Sequence, residues 1–253
     1  MEYEIIKDGK FEYLEVGEGE TLMLCHGLFG ALSNFADLIE KFRFTHKVVV
    51  PILPLFDLDI LHTTVSGLEK HIEAFIEHKN YSNIHLLGNS LGGHVALVYV
   101  LKHPERVKSL ILTGSSGLFE NAMGDSYPKR GDYEYIKNKT AQTFYDPAVA
   151  TPALVDEVFE ITRNRIKVIK IIALAKSAIR HNLAEELHKI QQPTLLIWGK
   201  NDIVTPHFVA EEFKKLIPNS QLHFLDKCGH APMMELPVEF NVILEKFLGD
   251  LPQ

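Results

Sequence analysis

The pentapeptide Gly88-Asn89-Ser90-Leu91-Gly92 limits what this chain can fold into more than any other feature. It fits the pattern G-x-S-x-G, and its neighbours supply the context that pattern needs. Before it, Asn83 to Leu87 reads as a strand. After it, Leu91 to His103 reads as a helix halted by Pro104. A strand that becomes a helix within so few residues must turn sharply. Glycines at 88 and 92 let backbone segments approach where a Cβ would clash. The turn lifts the Ser90 hydroxyl out of the sheet. The alternative, a Gly-Ser loop that only reverses the chain, is disfavoured by the flanking strand and helix.

The rest of the first 113 residues alternates in the same way. Glu4 to Lys7 and Phe11 to Val16 read as a hairpin joined at Asp8-Gly9. Thr21 to Cys25, Lys47 to Pro51 and Val107 to Thr113 read as further strands. Val65 to Lys79 has helical spacing at Leu68, Ile72, Phe75 and Ile76. Runs that are apolar on both faces predict a mostly parallel sheet covered by helices, an α/β fold. The alternation stops near residue 115 and resumes at Pro193. It then gives Thr194 to Trp198 (strand), Pro206 to Ile217 (helix), Gln221 to Leu225 (strand) and Val238 to Leu248 (helix). Between them, Gly117 to Gly131 is loop-like and Pro152 to Leu187 is largely helical in pattern. The expected organisation is an α/β core of residues 1–114 and 188–253, interrupted by a helical insert at 115–187. Residues 115–186 hold ten basic and ten acidic side chains, so the whole formal charge of −7 belongs to the remainder. Insertions on the strand-end side of such a sheet tend to lie over the site.

Composition excludes several classes. At 253 residues, with 46% hydrophobic and 23% charged residues, the chain can bury a large core without disulfides or metals. Cys25 and Cys228 are too few for a disulfide framework or a zinc site. The negative balance argues against a nucleic-acid partner. The start, Met1-Glu2-Tyr3-Glu4, lacks the basic residues and apolar run of a signal peptide, and no stretch approaches a membrane span. The expectation is a soluble, reduced, cytoplasmic protein with a small-molecule substrate and neither a nucleic-acid nor a membrane partner.

A serine hydroxyl needs a base. His230, in the loop Asp226 to Pro232 after the last expected strand, lies on the same rim as the elbow. His94 sits in the helix leaving the elbow and is a poorer base, and His26 reads as a turn organiser. The base needs a carboxylate to fix its tautomer. Asp202 follows the strand Thr194 to Trp198. Asp226 is closer in sequence to His230 but ends a strand, and the loop Gly114 to Gly117 offers no nearby carboxylate. Acyl transfer also needs donors for the developing oxyanion. The Leu91 N–H is one candidate, and Leu28 N–H in His26-Gly27-Leu28-Phe29-Gly30 is the other. Phe29, Phe35, Phe119 and Phe144 are candidates for an apolar pocket.

Taken in order, His26-Gly27, Gly88 to Gly92, Trp198 to Asp202 and Gly229-His230 resemble the motifs of the α/β-hydrolase superfamily over nearly the whole chain. The resemblance implies a Ser90–Asp202–His230 triad, with the helical insert as a cap that shapes the acyl pocket. No cofactor or metal is implied. The elbow Gly88 to Gly93 is similar to that of meta-cleavage product hydrolases, which break carbon–carbon bonds. That likeness implies substrate-binding roles for Asn34, in Ser33-Asn34-Phe35, and for Arg163 as a carboxylate clamp. Two departures lean the other way. The group usually has H-G-x-G-P-G where this chain has His26 to Gly30, and a tryptophan where this chain has Ala231. Both are ordinary among carboxylesterases of the fold. A serine hydrolase of ester or related acyl substrates is therefore the leading expectation. A carbon–carbon hydrolase, a cofactor-free haloperoxidase or perhydrolase, and a non-catalytic binder that keeps the fold are the alternatives.

Overall fold

The computed structural model describes residues 3–30, 32–121 and 131–252. The chain opens with β1 (Ile6–Asp8), β2 (Phe11–Val16) and β3 (Glu20–Cys25), then α1 (Ala36–Phe42) and β4 (His46–Pro51). Next come α2 (Val65–Lys79), β5 (Ile84–Asn89), α3 (Leu91–Lys102) and β6 (Val107–Thr113). Three helices follow, α4 (Tyr133–Gln142), α5 (Pro152–Arg163) and α6 (Arg165–Arg180). The chain ends with β7 (Thr194–Gly199), α7 (His207–Leu216), β8 (Ser220–Leu225), α8 (Pro232–Glu235) and α9 (Pro237–Gly249).

The strands form one sheet in the order β1-β2-β4-β3-β5-β6-β7-β8. β2 runs antiparallel to β1 and β4, and all pairs from β4 to β8 are parallel. The central strands alternate side chains between two covered faces. Met23, Leu86, Leu110 and Leu196 pack with α2, α3 and α7 on one side. Leu24, Leu87, Ile111 and Leu195 pack with α1, α8 and α9 on the other. Both faces exclude water, which is why the sequence shows continuous apolar runs instead of alternation.

This strand order positions the site. From β3 the chain goes to β4 on one side, and from β5 it goes to β6 on the other. The loops leaving β3 and β5 therefore part at their carboxyl ends and leave a crevice between them. Leu22 to Cys25 pair with His85 to Gly88, so the two strands end level and their loops meet.

Each helix between β6 and β7 has a readable start. Asp132 caps α4 by accepting from Tyr135 N–H at 2.9 Å. Thr151 caps α5, with Pro152 in its first turn. Asn164 ends α5 and caps α6, accepting from Ile166 and Lys167 N–H. Sequence reading did not find α4. Its segment is polar and buries only Ile136 and Thr140, so it carries almost no hydrophobic period. Asp132 was the available signal.

Candidate active site

Ser90 sits between β5 and α3 with φ 55° and ψ −122°, a region that L-residues with a Cβ rarely occupy. Hydrogen bonds from three elements hold it there. Ser90 N–H donates to Thr113 O at 3.1 Å, and Ser90 O accepts from Gly93, His94 and Ser116 N–H. The glycines are needed for space. A Cβ at Gly92 would lie 2.1 Å from Cys25 O, and one at Gly88 would lie 2.5 Å from Gly92 O. The elbow is thus pressed against the end of β3, and Gly27 lies against the Ser90 side chain.

Asp202 and His230 come from the loops after β7 and β8. His230 Nδ1 lies 2.9 Å from Asp202 Oδ2. Asp202 is buried, and its carboxylate is surrounded by donors. Oδ1 accepts from Val204 N–H (2.8 Å) and Thr205 N–H (2.9 Å), and Oδ2 accepts from Thr205 Oγ1 (2.8 Å). A carboxylate so held is an acceptor, so the shared proton lies on His230 Nδ1 and Nε2 is left to accept. Burial of the imidazole works to lower its pKa, but the charge and hydrogen bond of Asp202 outweigh it. The net position is above the ordinary histidine value, and Glu120 and Glu235 add to the rise.

The loop carrying His230 is tied to its neighbours. His230 N–H donates to Thr143 O, just past α4, and Asn89 Nδ2 donates to both Thr113 O and His230 O. Gly114 makes room for the ring. A Cβ there would stand 2.7 Å from His230 O and 2.9 Å from Nδ1.

Ser90 and His230 line one cavity of about 430 Å³. Its walls are mostly apolar. Leu154 and Val158 come from α5, Ile171, Ile172 and Ala175 from α6, and Ile203 and Val204 from the Asp202 loop. Leu28 and Asn34 also line it. The Leu91 N–H opens α3, so it has no acceptor within its own helix. Phe29 and Phe144 line the cavity, but Phe35 is in the core and Phe119 packs outside against Phe208.

Arg163 requires a correction. It is exposed, pairs with Glu160 at 2.8 Å and is absent from the cavity wall. Its neighbour Thr162 does line the cavity, and one residue along a helix is a turn of about 100°. That step carries Arg163 to solvent. Lys139 on α4 is instead the Lys or Arg side chain among the described residues of the wall.

The other two histidines near the site behave as the sequence suggested. His26 is buried, accepts Leu53 N–H at Nε2 (3.0 Å) and donates from Nδ1 to Gly27 O (2.9 Å). It thereby fixes the turn holding Leu28. His94 is buried against His181, and loss of hydration takes its pKa to about 3. Glu120 was missed. It lies on the connection leaving β6, and burial raises its pKa to about 7, against the pull of His230 and a hydrogen bond from Ser116. Its Oε1 has no hydrogen-bond partner among the described residues.

A model of the alpha/beta hydrolase fold matches residues 20–151 and 161–237, which takes in the elbow, Asp202 and His230. The chain belongs to the α/β-hydrolase fold family. Among solved structures, this α/β-hydrolase-fold chain is similar to an alpha/beta hydrolase enzyme from the metagenome of lagoon sediments at Mar Chica, Morocco. The two are 42% identical, 98% of each chain is covered, and the TM-score is 0.80. It is also 31% identical to monoacylglycerol lipase abhd6-B of Xenopus laevis over 74% of its own length, and spans 62% of that relative. A third relative is 2-hydroxy-6-oxononadienedioate/2-hydroxy-6-oxononatrienedioate hydrolase of Comamonas testosteroni. It is 25% identical over 93% of this chain and 90% of its own. No helix among the described residues is long and apolar enough to cross a membrane.

Proposed function

We propose that this protein is a serine hydrolase of carboxylic esters, with Ser90 as nucleophile, His230 as base and Asp202 as the residue that orients it. The observation that carries the reading is the His230–Asp202 hydrogen bond of 2.9 Å at the edge of a cavity that Ser90 also lines. With Nδ1 protonated, Nε2 is free to take the Ser90 proton as Oγ attacks the acyl carbon. The Leu28 and Leu91 N–H groups stabilise the oxyanion that forms. His230 then gives its proton to the leaving alcohol. Water attacks the acyl-enzyme in the same way, and His230 returns the proton to Ser90.

The apolar walls favour an aliphatic or aromatic acyl group of moderate size over a charged one. Asn34, which lines the cavity, is assigned a substrate contact. The placement of Arg163 weighs against carbon–carbon cleavage, because the guanidinium that was to grip a substrate carboxylate faces solvent. The test is a fluorophosphonate probe together with a panel of p-nitrophenyl esters. The probe should modify Ser90 alone. Ser90→Ala should remain folded and lose about 10⁴-fold or more in kcat. Labelling at another residue, or activity within tenfold of the parent, would overturn the assignment.

A further inference from the structure

Helix α6 differs from the rest of the insert in its charge. Arg165, Lys167, Lys170, Lys176 and Arg180 all lie on it, and it carries no Asp or Glu. Its covered face is complete, because Val168, Ile171, Leu174, Ala175 and Ala178 are buried. At 100° per residue, Arg165, Ile169, Lys176 and Arg180 fall close to one line on the opposite face, with Ile166 and Ile179 on either side. These three isoleucines are left uncovered, at 65% (Ile166), 46% (Ile169) and 49% (Ile179) exposure.

The patch extends beyond the helix. The loop before α2 exposes Ile60 (51%) and Leu61 (84%). That loop is fastened to α6. Lys170 Nζ donates to Phe56 O (2.7 Å) and Leu58 O (2.6 Å), Lys167 lies over the Phe56 ring, and Val65 N–H donates to Ser177 Oγ (3.1 Å). Two acids lie in this part of the loop, Asp57 and Asp59, both exposed, and Asp59 is paired with His62.

Branched apolar side chains set among cations, with no anion on the helix, match the chemistry of a lipid surface. Headgroup phosphates suit the cations, and the headgroup–acyl boundary suits the isoleucines. The chain as a whole carries −7, so an anionic surface repels most of it and admits this face first. We propose that the outer face of α6, with Ile60 and Leu61, docks the protein on anionic phospholipid bilayers. This is a peripheral contact, and it departs from the expectation of no membrane partner. The inner side of the same helix supplies Ile171 and Ala175 to the cavity wall, and Ile172, at the edge between that side and Ile179, lines it too, so a docked bilayer lies one helix away from the cavity.

The test is flotation of the whole protein with phosphatidylcholine vesicles, with and without about one third phosphatidylglycerol. The protein should float with the anionic vesicles and be released by high salt. The triple variant Arg165→Glu/Lys176→Glu/Arg180→Glu should lose more than about 100-fold in partitioning, roughly fivefold for each cation removed and more from each carboxylate added. Ile166→Ser/Ile169→Ser should weaken binding at unchanged charge. Both variants should keep hydrolysis of a soluble short-chain ester and their thermal melts. Equal binding to neutral and anionic vesicles, no release by salt, or no effect of either variant would overturn the proposal. So would a dimer in analytical ultracentrifugation that the isoleucine variant dissolves, since a second copy would then cover the face. If the triple variant fails to fold, the salt response of the unaltered protein and the isoleucine variant decide the matter.

Discussion

Replacing Asp202 with Asn should abolish turnover by reversing the histidine tautomer while leaving the fold in place. The local hydrogen bonds dictate which way the new amide turns. The position of Oδ1 faces two backbone donors, Val204 and Thr205 N–H, and only the amide oxygen can accept from both. The amide nitrogen must therefore take the place of Oδ2, 2.9 Å from His230 Nδ1. It presents an N–H there, so Nδ1 must accept and the ring proton moves to Nε2. That nitrogen can no longer take the Ser90 proton. The expected loss in kcat is about 10⁴-fold, or roughly 5.4 kcal/mol of barrier. The pH profile should change as well. The Asp202 carboxylate is what holds the His230 pKa above its ordinary value despite burial. Activity requires the neutral ring, so the acidic limb of kcat/KM in the unaltered protein should lie above 6.5. In the variant it should move to lower pH. Steady-state kinetics on p-nitrophenyl butyrate from pH 5 to 9, with a thermal melt as control, measures both effects. A loss below tenfold, or a limb that stays in place, would refute the reasoning.

Glu120 should behave as a destabilising carboxylate. Its pKa rises from 4.5 to about 7 on folding, so the folded state holds its proton longer, and stability falls as pH rises between those values. Glu120→Gln should be more stable than the parent by about 3 kcal/mol at pH 8 and gain little at pH 4, by denaturant titration; equal gains at both would contradict this. Removing its charge should also shift the His230 limb slightly downward. Gly92→Ala should displace the elbow, since its Cβ would meet Cys25 O at 2.1 Å, and the assay is loss of both fluorophosphonate labelling and several degrees of melting temperature. Lys139→Ala should lower kcat/KM for esters with a terminal carboxylate about three- to tenfold relative to their neutral methyl esters, a modest factor because the side chain is exposed.

What the sequence made legible was whatever a strand end controls. Once β5 and β3 are recognised as apolar runs, their last residues must face the same edge, because parallel pairing keeps them level. The glycines at 27, 88 and 92 mark where backbones meet there. Asp202 and His230 follow the ends of β7 and β8 for the same reason, and those strands pair in register from Thr194 with Ser220 to Gly199 with Leu225. A search along strand ends thus finds residues whose position depends on only a few local rules. Glu120 escaped it because it lies seven residues beyond β6. Its placement depends on how the connection folds back, through Leu183 N–H to Gly117 O and Asn121 N–H to Val204 O.

Helices in the insert obey a different rule. A strand residue has two possible directions, and burial chooses between them, whereas a helix residue's direction depends on the phase of the whole segment. Thr162 and Arg163 differ by one position, yet one lines the cavity and the other pairs with Glu160 in solvent. Sequence resemblance put the arginine on a helix that lines the cavity, but it does not fix a helical phase to within about 100°. The same reasoning explains Lys139. It lies one turn from Tyr135, Ile136 and Thr143, all of which line the cavity, while Lys137, two positions earlier, is turned outward to Glu134. Charge inside the cavity is therefore set by the phases of α4 and α5 and is not set by the composition of the insert, whose ten basic and ten acidic residues cancel. On α6 the same rotation decides which isoleucines enclose the cavity and which remain uncovered beside the cations. A substrate preference and a docking surface can then be carried by opposite sides of one helix, and each can be altered without touching the strand ends that hold Ser90, Asp202 and His230.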